Sequence, residues 1–306
     1  MGGGSSVGWP TGASSKDLAS RAVSDVERSE YESEIAGYFQ DLLADFNNRD
    51  KDAINRHLET IGSAIGKEFN LIDLLFGGSI KKNTYVDGIS DVDILAVIDR
   101  ADLVDKSPSE IIDYFASILR ERLPHTEIKK GTMSVTIRFS DGFEIQVLPS
   151  SRTQNGFRIA SSDGTRWSGV IDPQKFADKL TSINKANQNK VVPVTKLYKA
   201  INNSLPEDVK LRGYHIESLA IEAFENYIGP NTWKDMVIHL TEYASKAVLE
   251  PIKDSTGQSV HVDDELGPSG SSERLRASAS INRILTRMKV ADKETSIDRW
   301  MELMGE

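Results

Sequence analysis

The chain has 306 residues, no cysteine and a formal charge of -9. That length supports two modest lobes or one large core without covalent staples, and the missing thiols exclude disulfides, thiolate nucleophiles and cysteine-based metal centres. No window reaches the roughly 18 to 20 consecutive apolar residues of a membrane span, the N-terminal MGGGSSVGWPTGASSKD lacks the order of a signal peptide, and the acidic balance argues against a broad footprint on long duplex nucleic acid, so a soluble, cytoplasmic protein without a membrane partner is expected.

Residues 1–20 are rich in Gly and Ser and are expected to stay mobile. A capping-box pair, Ser29 and Glu32, predicts a helix start; Ile35, Tyr38, Phe39, Leu42, Leu43 and Phe46 then keep the helical period, and Ile54, Leu58, Ile61 and Ile65 mark a second helix. From about residue 70 the pattern turns to short β-rich runs, Leu71 to Phe76 and Val92 to Ile98, followed by a helix near 108–122 that starts with Pro108. Met133, Val135, Ile137 and Phe139 alternate with polar residues, and Asp141-Gly142 turns the chain into Phe143 to Leu148, which predicts a hairpin. The expected order is ββαβββ, a small mixed sheet.

Beyond Pro149 the chain becomes helical from the Asp172-Pro173 start signal. Phe176, Leu180 and Ile183 line one helix, Val194, Leu197, Tyr198 and Ile201 the next, and Trp233, Met236, Val237, Leu240, Tyr243 and Ala244 a later one. Asp254 to Ser272 reads as a long loop before a last pair of helices, with a solvated connector favoured over a cleft-lining role.

The chemistry concentrates at Gly77-Gly78-Ser79 and Asp91-Val92-Asp93. Asp91 and Asp93 stand two apart in a β-run, so their carboxylates share a strand face and can share hard cations. Two Mg²⁺ about 3.5–4 Å apart can orient an attacking hydroxyl and stabilise a leaving pyrophosphate. Asp-x-Asp alone also suits a wet strand edge. The glycines directly after an apolar strand let backbone amides approach a triphosphate, and Lys82 and Thr84 extend that turn with a cation and a hydroxyl, although no Gly-Lys-Ser/Thr completes a P-loop. A plain glycine turn between strands is the competing account. His57, His125, His215, His239 and His261 show no metal-ligand spacing, and zinc is not expected.

Gly78-Ser79, Lys82, Thr84 and Ser90-Asp91-Val92-Asp93-Ile94 resemble the signature of the polymerase-β-like nucleotidyltransferase superfamily. Val192-Pro193-Val194-Thr195-Lys196-Leu197-Tyr198-Lys199 and Gly213-Tyr214-His215-Ile216-Glu217 are similar to a narrower group, the CD-NTases, bacterial relatives of cyclic GMP-AMP synthase from anti-phage signalling; the likeness covers roughly residues 50 to 290. The resemblance implies that Lys199 and Lys196 reach the donor triphosphate and that Tyr214 stacks on a base, roles that suit a compact ammonium and an aromatic face. Solvated lysines and a Tyr214 that caps the helical core are the alternatives.

Two positions depart from the family pattern. Where many relatives carry a third metal-binding Asp, three residues before Pro149, this chain has Gln146; Glu144, two residues earlier on the same strand face and roughly 6.8 Å away, is the expected substitute and general base. Gly213 replaces a serine that helps hold phosphate in eukaryotic relatives. The resulting expectation is an α+β, bilobed nucleotidyltransferase: residues 21–170 a palm with N-terminal bracing helices, residues 171–306 a helical nucleotide-binding domain, and an active site between them. Asp91, Asp93 and Glu144 would hold Mg²⁺, with Mn²⁺ as a substitute; Gly77, Gly78, Ser79, Lys82, Thr84, Lys196, Lys199 and Tyr214 would bind nucleoside triphosphates. The resemblance further implies a cyclic or short oligonucleotide product that activates an effector protein. A template-independent polymerase and a catalytically weakened nucleotide-binding regulator are the alternatives.

Overall fold

A computed structural model of the chain describes residues 15–47, 51–66, 71–76, 78–86, 92–99, 106–161, 163–252 and 263–306. Helix α1 runs from Ser15 to Phe46 and α2 from Lys51 to Ile65; strand β1 (Leu71–Phe76), the single turn α3 (Gly78–Lys81) and strand β2 (Val92–Ile98) follow. Helix α4 (Pro108–Arg122) then leads to β3 (Glu127–Lys130), β4 (Val135–Arg138), β5 (Glu144–Thr153) and β6 (Gly156–Arg158). Among the described residues, six α-helices follow: α5 (Pro173–Ala186), α6 (Val191–Asn203), α7 (Gly213–Phe224), α8 (Trp233–Ala247), α9 (Ser272–Lys293) and α10 (Ile297–Met304). The expected α+β class with a small mixed sheet is what this order builds. Among the described residues, no helix is long and apolar enough to cross a membrane.

The strands pair in the order β1-β2-β5-β4-β3, with β6 added to β5. Among the described residues only β2 and β5 run parallel, and Asp93 lies opposite Gln146 in their register. A parallel pair needs a long crossover, and α4 is its helical part. Ser107 and Glu110 form the capping box that starts α4: the Ser107 amide donates to Glu110 Oε2 at 2.7 Å and the Glu110 amide to Ser107 Oγ at 3.3 Å. The helix buries Ile111, Ile112, Phe115 and Leu119. The predicted hairpin is present: Gly142, at φ +90°, turns the chain, and the Phe139 amide donates to the Phe143 carbonyl at 2.8 Å.

Strand β2 is buried on both faces, and its near-continuous apolar run is what a central, parallel-paired strand requires. Val92, Ile94, Ala96 and Ile98 join α2, α4 and the inner sides of β4 and β5 in one core, while Leu95 and Val97 are buried on the opposite face, the one that carries Asp93.

A second core unites the helices of the C-terminal half, and α1 belongs to it. The grouping of residues 21–46 with the sheet is therefore corrected. Tyr31, Ile35, Phe39 and Leu43 form an i,i+4 stripe against the helical core, where Trp300 Nε1 donates to Tyr31 Oη at 2.8 Å and the Trp300 ring meets Phe39 edge-on at 5.5 Å. Of the two N-terminal helices, α2 is the one that packs into the core of the sheet. Two boundaries also move: Ser15 to Ser20 are helical rather than part of a mobile leader, and Ser29 sits inside α1 rather than at its start. No proline or glycine interrupts 15–36, so nothing stops the helix from extending past an internal Ser-x-x-Glu pair. The predicted 254–272 loop falls on described residues only from Asp263; its earlier part lies outside them.

Candidate active site

The Gly-Ser turn follows β1 directly. Gly78 to Lys81 form one helical turn, Asn83 at φ +58° closes it, and the Thr84 amide donates to the Ser79 carbonyl at 2.9 Å. Ser79 is 6% exposed, and its hydroxyl is buried without a hydrogen-bond partner among the described residues. A buried hydroxyl left unmatched costs roughly 1–3 kcal/mol, so an acceptor arriving at this turn would recover that cost. Gly77, the first residue of the motif, lies outside the described residues.

Across the turn stand residues from the helical half. Glu217 of α7 is 1% exposed and gathers two cations: Lys199 of α6 donates to its Oε1 at 2.8 Å, and Lys82 pairs with its Oε2. Thr84 Oγ1 donates to Glu217 Oε1, and Lys199 Nζ also donates to the Thr84 carbonyl at 3.0 Å. Burial pushes the Lys199 ammonium below its ordinary pKa, with Glu217 and Asp93 opposing that effect. Burial pushes the Glu217 carboxyl up, but Lys199 and Lys82 outweigh it and hold the group well below the usual carboxylate range. Lys82, Thr84 and Lys199 are thus brought together, as the sequence led one to expect, but they are engaged with one another rather than exposed.

Lys196, one helical turn before Lys199, is placed differently: its Nζ donates to Asn47 Oδ1 at 2.5 Å, tying α6 to the end of α1. Tyr214 is 37% exposed and leans on Phe176 of α5, with ring centroids 4.7 Å apart and planes at 36°. Lys82 Nζ sits 4.7 Å from the Tyr214 centroid and 4.8 Å from that of Phe176. Gly213 opens α7 beside Lys199, and a Cβ there would lie 3.5 Å from Lys199 Nζ, ordinary contact.

The acidic strand is partly described. Asp91 lies outside the described residues, whereas Asp93 is partly buried on β2 and close enough to Lys199 to act on its charge. Glu144 opens β5 on the same face as Gln146, but Arg138 of the neighbouring β4 donates to its Oε2 through Nε at 2.9 Å and Nη2 at 2.7 Å. Gln146, opposite Asp93, accepts from Ser134 Oγ at 3.4 Å. Among the described residues no three acids or histidines form a metal-holding group. The donor chemistry still fits a hard cation in part: Asp93 supplies a carboxylate at the strand end, and both Arg138 bonds leave Glu144 Oε1 outside the fork.

Two residues escaped the sequence reading. Phe176 was legible only as a core position of α5. Glu217 stood in the quoted motif without a role, yet a lone acid among Ile216, Leu219 and Ala220 on a buried helix is itself a signal, because a buried carboxylate demands paired cations.

A mixed sheet with an acidic central strand, a Gly-Ser turn beside it and helical lysines opposite define a nucleotidyltransferase. Residues 34–184 match the profile of the SMODS family, the Second Messenger Oligonucleotide or Dinucleotide Synthetase domain. Solved structures share the fold. CdnC from E. coli MS115-1, solved with ATP, is 18% identical over 86% of this chain and 92% of its own, with a TM-score of 0.61. The Bradyrhizobium diazoefficiens CD-NTase CdnG, in complex with GTP, is 14% identical over 83% and 86%, with a TM-score of 0.62. Vibrio cholerae DncV cyclic AMP-GMP synthase, in complex with the linear intermediate 5' pppA(3',5')pG, is 12% identical over 96% and 90%, with a TM-score of 0.61. No curated protein matches the chain.

Proposed function

We propose that this nucleotidyltransferase joins nucleoside triphosphates into a cyclic or short oligonucleotide with release of pyrophosphate, in the cytoplasm, as a second messenger of anti-phage defence that acts on an effector protein. The observation that carries the reading is the buried, unpartnered Ser79 hydroxyl beside Lys82, Thr84 and Lys199. Ser79 would donate to a phosphate oxygen, the two lysines would offset the charge of the polyphosphate, and the exposed part of Tyr214 would hold a base by stacking. Relatives solved with ATP, with GTP and with a linear pppA(3',5')pG intermediate support a triphosphate substrate and a route from linear to closed product.

Asp91, Asp93 and Glu144 would hold Mg²⁺, with Mn²⁺ as a substitute, and the bound cation would supply charge neutralisation on the phosphates. Asp93 lies close enough to Lys199 to act on its charge. Glu144 would serve as ligand or accept the proton of the attacking 2′- or 3′-hydroxyl through Oε1, while Arg138 holds Oε2.

One observation favours a second reading. The residue in register with Asp93 is the neutral Gln146, which suits a nucleotide-binding regulator with weakened catalysis. The experiment is pyrophosphate release with each nucleoside triphosphate and Mg²⁺, wild type against Asp93→Asn, with products then treated with phosphatase. We expect the variant to lose at least about 100-fold, roughly 2.7 kcal/mol of barrier, and part of the wild-type product to resist phosphatase. Equal release by both proteins, with nucleotide binding intact, would leave the regulator.

A further inference from the structure

Glu217 has no role in the scheme above, yet it is the hub of the contacts between the Gly-Ser turn and the helical half. Its two oxygens divide the work. Oε1 accepts from Lys199 of α6 and Thr84, and Oε2 pairs with Lys82, which α3 delivers from the sheet side. All three cationic and acidic side chains are nine-tenths or more buried. Two ammonium groups share this one carboxylate in a place where water cannot screen them, with Asp93 near enough to Lys199 to act on its charge. Without the carboxylate, two buried like charges would face each other, and one would lose its proton or move out.

We propose that Glu217 is a positioning residue for the polyphosphate of the substrate, holding Lys82 and Lys199 charged and apart on either side of the Ser79 turn. It acts only through the lysines. The proposal rests on the nucleotidyltransferase reading of that turn, but it concerns phosphate binding rather than the chemical step. Lys82 adds a geometric reason: its Nζ lies within 4.8 Å of both the Phe176 and Tyr214 ring centroids, so Glu217 also fixes the cation beside the ring expected to receive the base. Glu217 also faces the turn that carries Ser79, whose buried hydroxyl has no hydrogen-bond partner among the described residues.

The test is titration calorimetry of inorganic tripolyphosphate, which carries no base, in Mg²⁺ buffer against wild type, Glu217→Gln and Glu217→Asp. Glu217→Gln should bind at least about tenfold more weakly. In pyrophosphate release its KM for nucleoside triphosphate should rise by a similar factor, with kcat changed less than KM. Glu217→Asp keeps the charge but is one methylene shorter, so it should recover part of the affinity; where the Gln variant does not fold, this variant carries the test and should still bind several-fold more weakly than wild type. Wild-type affinity in the folded variants overturns the proposal, as does a wild type that does not take up tripolyphosphate, or a lower melting temperature with KM unchanged, the mark of a purely structural latch. Because the titration reads binding without turnover, equal pyrophosphate release by wild type and Asp93→Asn would sink the catalytic reading and leave this one standing.

Discussion

Replacing Lys199 by methionine removes the ammonium and keeps most of the stem that fills the seam. Lys199 is 4% exposed and gives three contacts: to Glu217 Oε1 at 2.8 Å, to the Thr84 carbonyl at 3.0 Å and to Thr84 Oγ1 at 3.3 Å. Removing one partner of a buried ion pair commonly costs about 3–5 kcal/mol because the other charge is stranded. Here Glu217 keeps Lys82, so the stranded group is chiefly the Thr84 carbonyl, at roughly 1–3 kcal/mol. The burial that lowers the Lys199 pKa is relieved at the same time, and an expected net loss of about 2 kcal/mol follows. Urea unfolding followed by tryptophan fluorescence measures it, since Trp300 lies fully buried in the helical core. In a cycle with Glu217→Gln the two losses should miss additivity by about 1–3 kcal/mol. A loss below about 0.5 kcal/mol for Lys199→Met, or additivity within about 0.5 kcal/mol, would refute the claim that the two groups hold each other.

Two further outcomes separate structural accounts. Gln146→Asp places a carboxylate in register with Asp93 and should lower the Mg²⁺ needed for half-maximal pyrophosphate release by about tenfold, whereas Glu144→Gln should raise it; a silent Glu144→Gln beside an improved Gln146→Asp would show that Glu144 is no ligand. His215 is fully buried with neither ring nitrogen hydrogen-bonded among the described residues, and burial pushes its pKa from 6.5 down to about 4 against the opposing Asp263, with Arg274 adding to the fall. The unfolded chain then binds more protons than the folded one between about pH 4 and 6.5, so stability should rise with pH across that window, by on the order of 3 kcal/mol, and level off above it. His215→Leu should flatten the rise in melting temperature between pH 5 and 7; an unchanged slope would show that another group sets it.

What could be read from residues alone follows how local the physics is. Strand β2 was legible because the unbroken apolar run from Ile94 to Ile98 fits a strand covered on both faces. The Asp141-Gly142 turn was legible because φ +90° at Gly142 demands that residue. The face of β5 was legible too, since Glu144 and Gln146 differ by one pleat. Their partners were not: that Gln146 faces Asp93, and that Arg138 takes Glu144, depends on strand register, which no local pattern encodes. Helix α1 shows the same limit. A stripe of Tyr31, Ile35, Phe39 and Leu43 says that a face is buried, not which lobe buries it.

Charge behaves likewise. A chain at -9 reads as a poor partner for polyanions. Two buried ammonium groups share one carboxylate in the Lys82–Glu217–Lys199 trio, and burial makes such charges count far more than solvated acids. On the proposed reading, a site built this way would attract a compact triphosphate at short range. The acidic composition and the phosphate-binding role would then be two parts of one design, in which selectivity for small nucleotides comes from placing the positive charge where only a small anion can reach it.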